Sequence, residues 1–186
     1  MEVWRITAAR FATDLSGQGA ALFGGRWNHM KHKALYVGMT PAICALETFT
    51  HCTEVPRFAL KLVQIRLPDE PELYQEADVN LLGDGWARKP ADIRSMDFGT
   101  AWLRQGQQLG LIVPSSVLPQ ARHIMVNPLH PAAERIEILA VMDFSLTAPH
   151  STTDIDHHAT THLPGNQLRC DIDDFAQANL AADQWQ

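Results

Sequence analysis

Along most of this chain, apolar and polar residues change over in short runs, the spacing of strands more than of long helices. Val3-Trp4-Arg5-Ile6 predicts an opening strand, and Ala34-Leu35-Tyr36-Val37 a second one stopped by Gly38. A helix follows with a defined start, Thr40 as N-cap and Pro41 at the first helical position. Ile43, Leu46 and Phe49 form its apolar stripe, and Glu47, one turn beyond Ile43, falls on the edge of that stripe. The runs Phe58–Leu62 and Val63–Leu67 both alternate but are out of phase, so a bulge is expected near Leu62–Val63. Residues 68–96 are rich in Pro and Asp and read as loop with some helix. Phe98 to Gln108 predicts a second helix ended by Gly110. Strands are then expected at Leu111–Val113, Ile124–Val126 and Ile136–Phe144. There is no internal repeat. Short strands, few helices and no regular βαβ alternation make the fold class α+β.

From Thr147 the pattern stops. The stretch "TAPHSTTDIDHHATTHLPGN" is polar, aperiodic and rich in histidine. The expected organisation is a domain over residues 1–146 and a flexible acidic extension over 147–186, with a short helix at Asp173 to Asp183. Charge supports that division. The net charge is −6, yet residues 1–145 carry 14 Lys and Arg against 15 Asp and Glu, and the extension carries one Arg and six Asp. A near-neutral body offers no basic footprint for nucleic acid. The start lacks the basic and apolar regions of a signal peptide, and no apolar run is long enough to span a bilayer. Cys44, Cys52 and Cys170 contain no CxxC pair, which predicts neither a disulfide framework nor a thiolate zinc site, in a cytoplasmic setting.

The glycines of residues 16–25 match neither GxGxxG before a helix nor a P-loop, so any nucleotide is bound by another geometry. Arg26 in "GGRWN" reads as a surface residue of a tight turn or as an anion contact. Tyr36, on a strand, reads as half-buried core. Glu47 is a solvent-facing edge residue, a salt-bridge partner of Arg26, or an acid put to use, since an unpaired buried charge is costly. Ser115 in "LIVPSSVLP" follows an apolar strand and is either a turn residue or a hydroxyl aimed into a cleft; no GxSxG elbow surrounds it. His29 and His32 lie in a Lys-flanked loop, and His157, His158 and His162 in the extension, without a carboxylate or thiolate complement at ligand spacing, so no metal is expected. His51, four residues after Glu47, shares its helical face.

Taken in order, "WRI", "SGQGAALFGGRWN", "ALYVG", "ALETFTH" and "VPSSVLPQARHIMVNPLHP" resemble the RES-domain proteins, toxin components of bacterial toxin–antitoxin pairs. The resemblance spans roughly residues 3 to 145. It implies a fold similar to ADP-ribosyltransferases, NAD as substrate, and a helix-turn-helix antitoxin that covers the active site. The family's Arg falls on Arg26, its Tyr on Tyr36, its Glu on Glu47 and its Ser on Ser115, with Ser116 adjacent; Arg5 matches a further position near the nucleotide. "HMKHK" departs from the Pro- and Gly-rich turn expected between the Arg and Tyr strands, and the acidic extension has no counterpart.

The chemistry suits those residue types. Cleavage of the nicotinamide–ribose bond passes through an oxocarbenium-like cation, which a fixed carboxylate stabilises, and Glu47 is the only acid between Arg26 and His51. The resemblance implies that Arg26 and the amides of the double glycine meet the phosphates, that Tyr36 stacks on nicotinamide, and that Ser115 bonds its carboxamide or the ribose. The acceptor is left open between water, phosphate and a protein side chain. Two further possibilities are an inactive nucleotide- or antitoxin-binding module and a nucleic-acid-acting protein. The second is disfavoured by the neutral body.

Overall fold

The computed structural model describes residues 1–51, 58–83, 85–88 and 91–145. The side chain of His51, Cys52, and the whole expected extension with its histidines, Cys170 and its short helix lie outside the described residues.

Seven strands form one sheet: β1 (Glu2–Ala8), β2 (Leu35–Gly38), β3 (Leu60–Arg66), β4 (Tyr74–Glu76), β5 (Gly110–Pro114), β6 (Arg122–Val126) and β7 (Glu137–Phe144), in the spatial order β4-β5-β6-β2-β1-β3-β7. Only the β4–β5 pair is parallel. Among the described residues the α-helices are α1 (Gln18–Phe23), α2 (Pro41–His51) and α3 (Ile93–Gln105). A mixed seven-stranded sheet with few helices is the expected α+β class.

Alternation along the strands gives the sheet two apolar faces. Val3, Leu35, Val37, Val63, Ile65, Ile124 and Val126 form one core, closed by Ala12 and Ala132. Leu111, Val113 and Met125 point the other way, into a second core with Ala20 of α1, Trp27, and Trp102 and Leu103 of α3. The close approach of α3 depends on Gly99, because a Cβ there would collide with the Trp27 carbonyl. On this second face α2 crosses β1 and β2.

Four local expectations are revised. The inward face of α2 is Ile43, Cys44 and Glu47, whereas Leu46 and Phe49 are exposed, a rotation of roughly 100° at 3.6 residues per turn. Its start is as expected, with Thr40 Oγ1 accepting from the Ile43 amide at 3.3 Å. The register break beside β3 falls between Gln64 and Ile65, which pair with Ala140 and Ile138, so the extra residue is Leu139 on β7. Strand β3 runs unbroken against β1, and its change of phase arises because both faces of the sheet are covered. Helix α3 begins earlier, where the Asp92 carboxylate accepts from the Arg94 amide, and ends at Gly106 in the left-handed region (φ 61°). Gly110 instead opens β5. Within the expected loop, Tyr74–Glu76 adds a strand to the sheet edge.

Candidate active site

The second face carries the polar side chains. On β6, Ile124 and Val126 point into the first core, so His123 and Met125 point to the opposite side. In the register His123 lies between Gly38 of β2 and Val113 of β5. Gly38 has a spatial reason to lack a side chain. An ideal Cβ there would lie 2.5 Å from Cys44 Sγ and 2.8 Å from Ile43 Cγ2. Its absence lets α2 settle on the sheet, where the Cys44 thiol donates to the Trp4 carbonyl (3.1 Å). One turn after Ile43, Glu47 then meets the ends of β5 and β6.

Ser115, just past β5, is 1% exposed. Its hydroxyl accepts from the amides of Val117 and Leu118, both at 3.0 Å, and donates to Glu47 Oε1 at 2.6 Å. With its lone pairs taken by two amides, the hydroxyl's proton is directed at the carboxylate. It is Ser115, of the adjacent pair, whose hydroxyl meets Glu47. His123 Nε2 lies 3.1 Å from the same Oε1; against a carboxylate, the ring nitrogen is the donor. The side chains of Glu47 and His123 retain 20% and 16% of their exposure, so the acid is shielded yet reachable from solvent.

Arg26 belongs to the same electrostatic field. Burial pushes its guanidinium below the ordinary range, and the Glu47 carboxylate and then Tyr36 partly restore it. Its Nη1 donates to the carbonyls of Trp86 (2.9 Å) and Arg88 (3.0 Å), which fixes the fork. The preceding glycines serve packing. The Gly24 amide donates to the Ala20 carbonyl and that of Gly25 to the Asn28 carbonyl, so neither is free for a phosphate. A Cβ on Gly25 would lie 2.9 Å from the Tyr36 hydroxyl. That corrects the expectation that the double glycine offers amide donors.

Tyr36 anchors this loop. Its hydroxyl donates to Asn28 Oδ1 (2.7 Å) and accepts from the Trp27 amide (3.2 Å), and burial raises its pKa above the ordinary range. Asn28, fully buried, donates through Nδ2 to the carbonyls of Ala20, His29 and His32. Arg5 is not brought to Glu47. Trp4 pairs with Gly38 on the α2 side, so Arg5 faces the first core, where it donates to the Asp14 carbonyl (2.6 Å) and Thr7 Oγ1 (3.4 Å). His123 escaped the sequence reading, although its parity against Ile124 and Val126 marked it as facing the other way.

Elsewhere, Met1, Arg66, Leu67, Asp69, Arg135 and Glu137 line an open hollow of about 630 Å³. Its charged groups are already engaged, Met1 with Asp69, Arg66 with Glu137, Arg135 with Glu70 and Glu2 with the Gln64 amide, so they do not converge on a ligand. Among the described residues no cluster of three or more His, Cys, Asp or Glu could hold a metal ion, and no helix is long and apolar enough to cross a membrane.

This sheet and its helices are similar to a chain of the M. tuberculosis MbcT–MbcA toxin–antitoxin complex, with a TM-score of 0.57 over 77% of this chain and 84% of that one, at 20% identity. The fold class is thus that of a known α+β toxin structure, with an Arg, a Glu and a Ser on one sheet face. The RES domain model matches residues 2–152, and the chain belongs to the RES-domain family. Among its relatives, "Toxin Res" of Yersinia enterocolitica is 35% identical over 133 residues, covering 70% of this chain and 86% of that protein. The "Prs ADP-ribosylating toxin" of a Sphingobium species is 37% identical over 144 residues, covering 72% and 86%.

Proposed function

We propose that this chain is the toxin of a toxin–antitoxin pair and that it cleaves the nicotinamide–ribose bond of NAD in the cytoplasm. The observation that carries the reading is a shielded carboxylate, Glu47, receiving hydrogen bonds from Ser115 and His123 within the field of Arg26. In the reaction the ribose C1′–N bond breaks and its electron pair leaves with nicotinamide, which departs neutral. The cation left on ribose develops next to Glu47, whose partly desolvated charge stabilises it more strongly than water-exposed charge would. Arg26, oriented by two carbonyls through Nη1, holds the diphosphate. Tyr36 lends its ring to the nicotinamide while its hydroxyl keeps the Arg26 loop in place. Water then adds to C1′ and releases a proton, giving ADP-ribose; phosphate as acceptor would give the 1″-phosphate instead.

The name of the Sphingobium relative favours a second reading, transfer of ADP-ribose to a protein side chain. The same carboxylate would serve, because only the acceptor differs. For the partner we propose a helix-turn-helix antitoxin seated over Glu47. The M. tuberculosis chain is found in complex with an antitoxin, and Leu46 and Phe49 expose apolar surface on α2 beside the site.

The experiment is to incubate the purified protein with NAD and follow free nicotinamide by chromatography. Nicotinamide release is expected, with ADP-ribose, its phosphate or a labelled protein identifying the acceptor. A folded protein that releases none overturns the reading and leaves a binding module.

A further inference from the structure

His123 is the member of the Glu47 cluster to which the proposed reaction has given no task. We infer that it is a positioning residue for that acid: with Ser115, it fixes the orientation of the carboxylate that faces the ribose. The inference rests on the reading of Glu47 as the reacting group.

Three observations carry it. The 2.6 Å bond from Ser115 and the 3.1 Å contact from His123 Nε2 fall on one oxygen, Oε1. Two donors on one oxygen, one just past β5 and one on β6, restrict rotation of the carboxylate far more than either alone. The donors themselves are rigid. Ser115 is pinned by two amides, and His123, the second residue of β6, is paired on both sides. The ring is also chemically out of place. Its neighbours on this face are Val113 and Met125, both buried in the apolar cluster, and a ring nitrogen shielded beside them costs free energy unless it is bonded. Glu47 supplies that bond. Among the described residues, three other ionisable groups near the acid act differently: Arg26 acts through its field, the Cys44 thiol is bonded to the Trp4 carbonyl, and Arg122, next in the strand, pairs with Glu76.

The role predicts a particular signature. His123→Phe keeps the ring volume and removes the donor, whereas His123→Gln keeps an N–H at similar reach. With full-length protein, His123→Phe should lower kcat about 10–100-fold, the usual loss when a partner of a reacting group is removed. KM should change less than about twofold and the unfolding temperature only slightly, because binding and packing are retained. His123→Gln should recover most of the lost kcat. Two outcomes overturn the inference: a His123→Phe variant with wild-type kcat, or equal losses in both variants accompanied by a lowered unfolding temperature, the mark of a packing role. The wild-type control separates this from the underlying proposal, since absence of nicotinamide release there rejects both, while release with an indifferent His123→Phe rejects only the positioning role.

Discussion

Two polar clusters share one face of the sheet, and they differ in how completely their hydrogen bonds are closed. Around the Tyr36 hydroxyl every partner is internal: Trp27 donates, Asn28 accepts, and Asn28 in turn reaches three backbone carbonyls. Around Glu47 the donors converge on one oxygen of an acid that keeps 20% of its exposure. Closed networks hold backbone in place, and an acid approached by rigid donors yet open to solvent is equipped to act on something else. Substitutions in the first cluster should therefore change stability, and those in the second should change rate.

The largest effect is expected at Glu47. Glu47→Gln keeps the shape and most of the hydrogen bonding but removes the charge, and should cost about 10²–10³-fold in NAD turnover with near-normal thermal unfolding. Arg26→Ala makes the contrast within the site. It should raise KM as well, with a loss in kcat/KM of about 10–100-fold from missing charge-assisted bonds. If Glu47→Gln instead unfolds the protein, the acid belongs with the closed cluster and the division between the two regions fails.

Gly38→Ala probes the junction between them. The added methyl meets Cys44 and Ile43 and must lift the start of α2, moving Glu47 away from Ser115. Misplacement of a reacting group by about 1 Å can cost roughly 10²-fold, so turnover should fall by up to that factor. Wild-type activity in a folded Gly38→Ala variant would show that the fit of α2 on β2 does not set the geometry of the acid.

Tyr36→Phe should act in the opposite way. It strands the Trp27 amide and Asn28 Oδ1 inside the protein, a destabilisation of about 1–3 kcal/mol measurable by denaturant unfolding. Any loss of activity should follow through the looser Arg26 loop. A variant as stable as wild type but inactive would move the Tyr36 hydroxyl from the scaffold to the chemistry.

The smallest effect concerns Cys44. Burial pushes its thiol up to about 11, with Glu47 adding to the rise against a lowering bond from the Gly38 backbone. The reactive thiolate is therefore scarce near neutral pH and grows as the pH approaches that value. Peptide mapping after iodoacetamide treatment of native protein at pH 8 should find Cys44 unmodified, and prompt alkylation would mean that α2 leaves the sheet.

How far these features could be read from sequence depends on whether the signal was local. The start of α2 rests on Thr40 and Pro41 alone, and β2 on four apolar residues before a glycine, so both were legible. The inward face of α2 was not, because Leu46 and Phe49 look like core until the neighbours of α2 are known, whereas Cys44 and Glu47 do not. The bulge was placed on β3 for a similar reason. A strand covered on both sides loses clean alternation without any slip. In the site, Arg26, Tyr36, Glu47 and Ser115 stood out through their ordered motifs. His123 required the parity of β6, and the separation of Arg5 from Glu47 required knowing which side of β1 faces α2.

The span of the Glu47 contacts has a consequence for the newly made chain. Glu47 is 68 residues from Ser115 and 76 from His123, and β2 finds its partner β6 only after the chain has passed residue 122. Contacts of such separation close late in folding. At about 5–20 residues per second of synthesis, several seconds pass between the emergence of α2 and that of β6. Throughout that interval the acid exists without Ser115 and His123, so any activity that depends on their placing it must wait until almost the whole domain has been made.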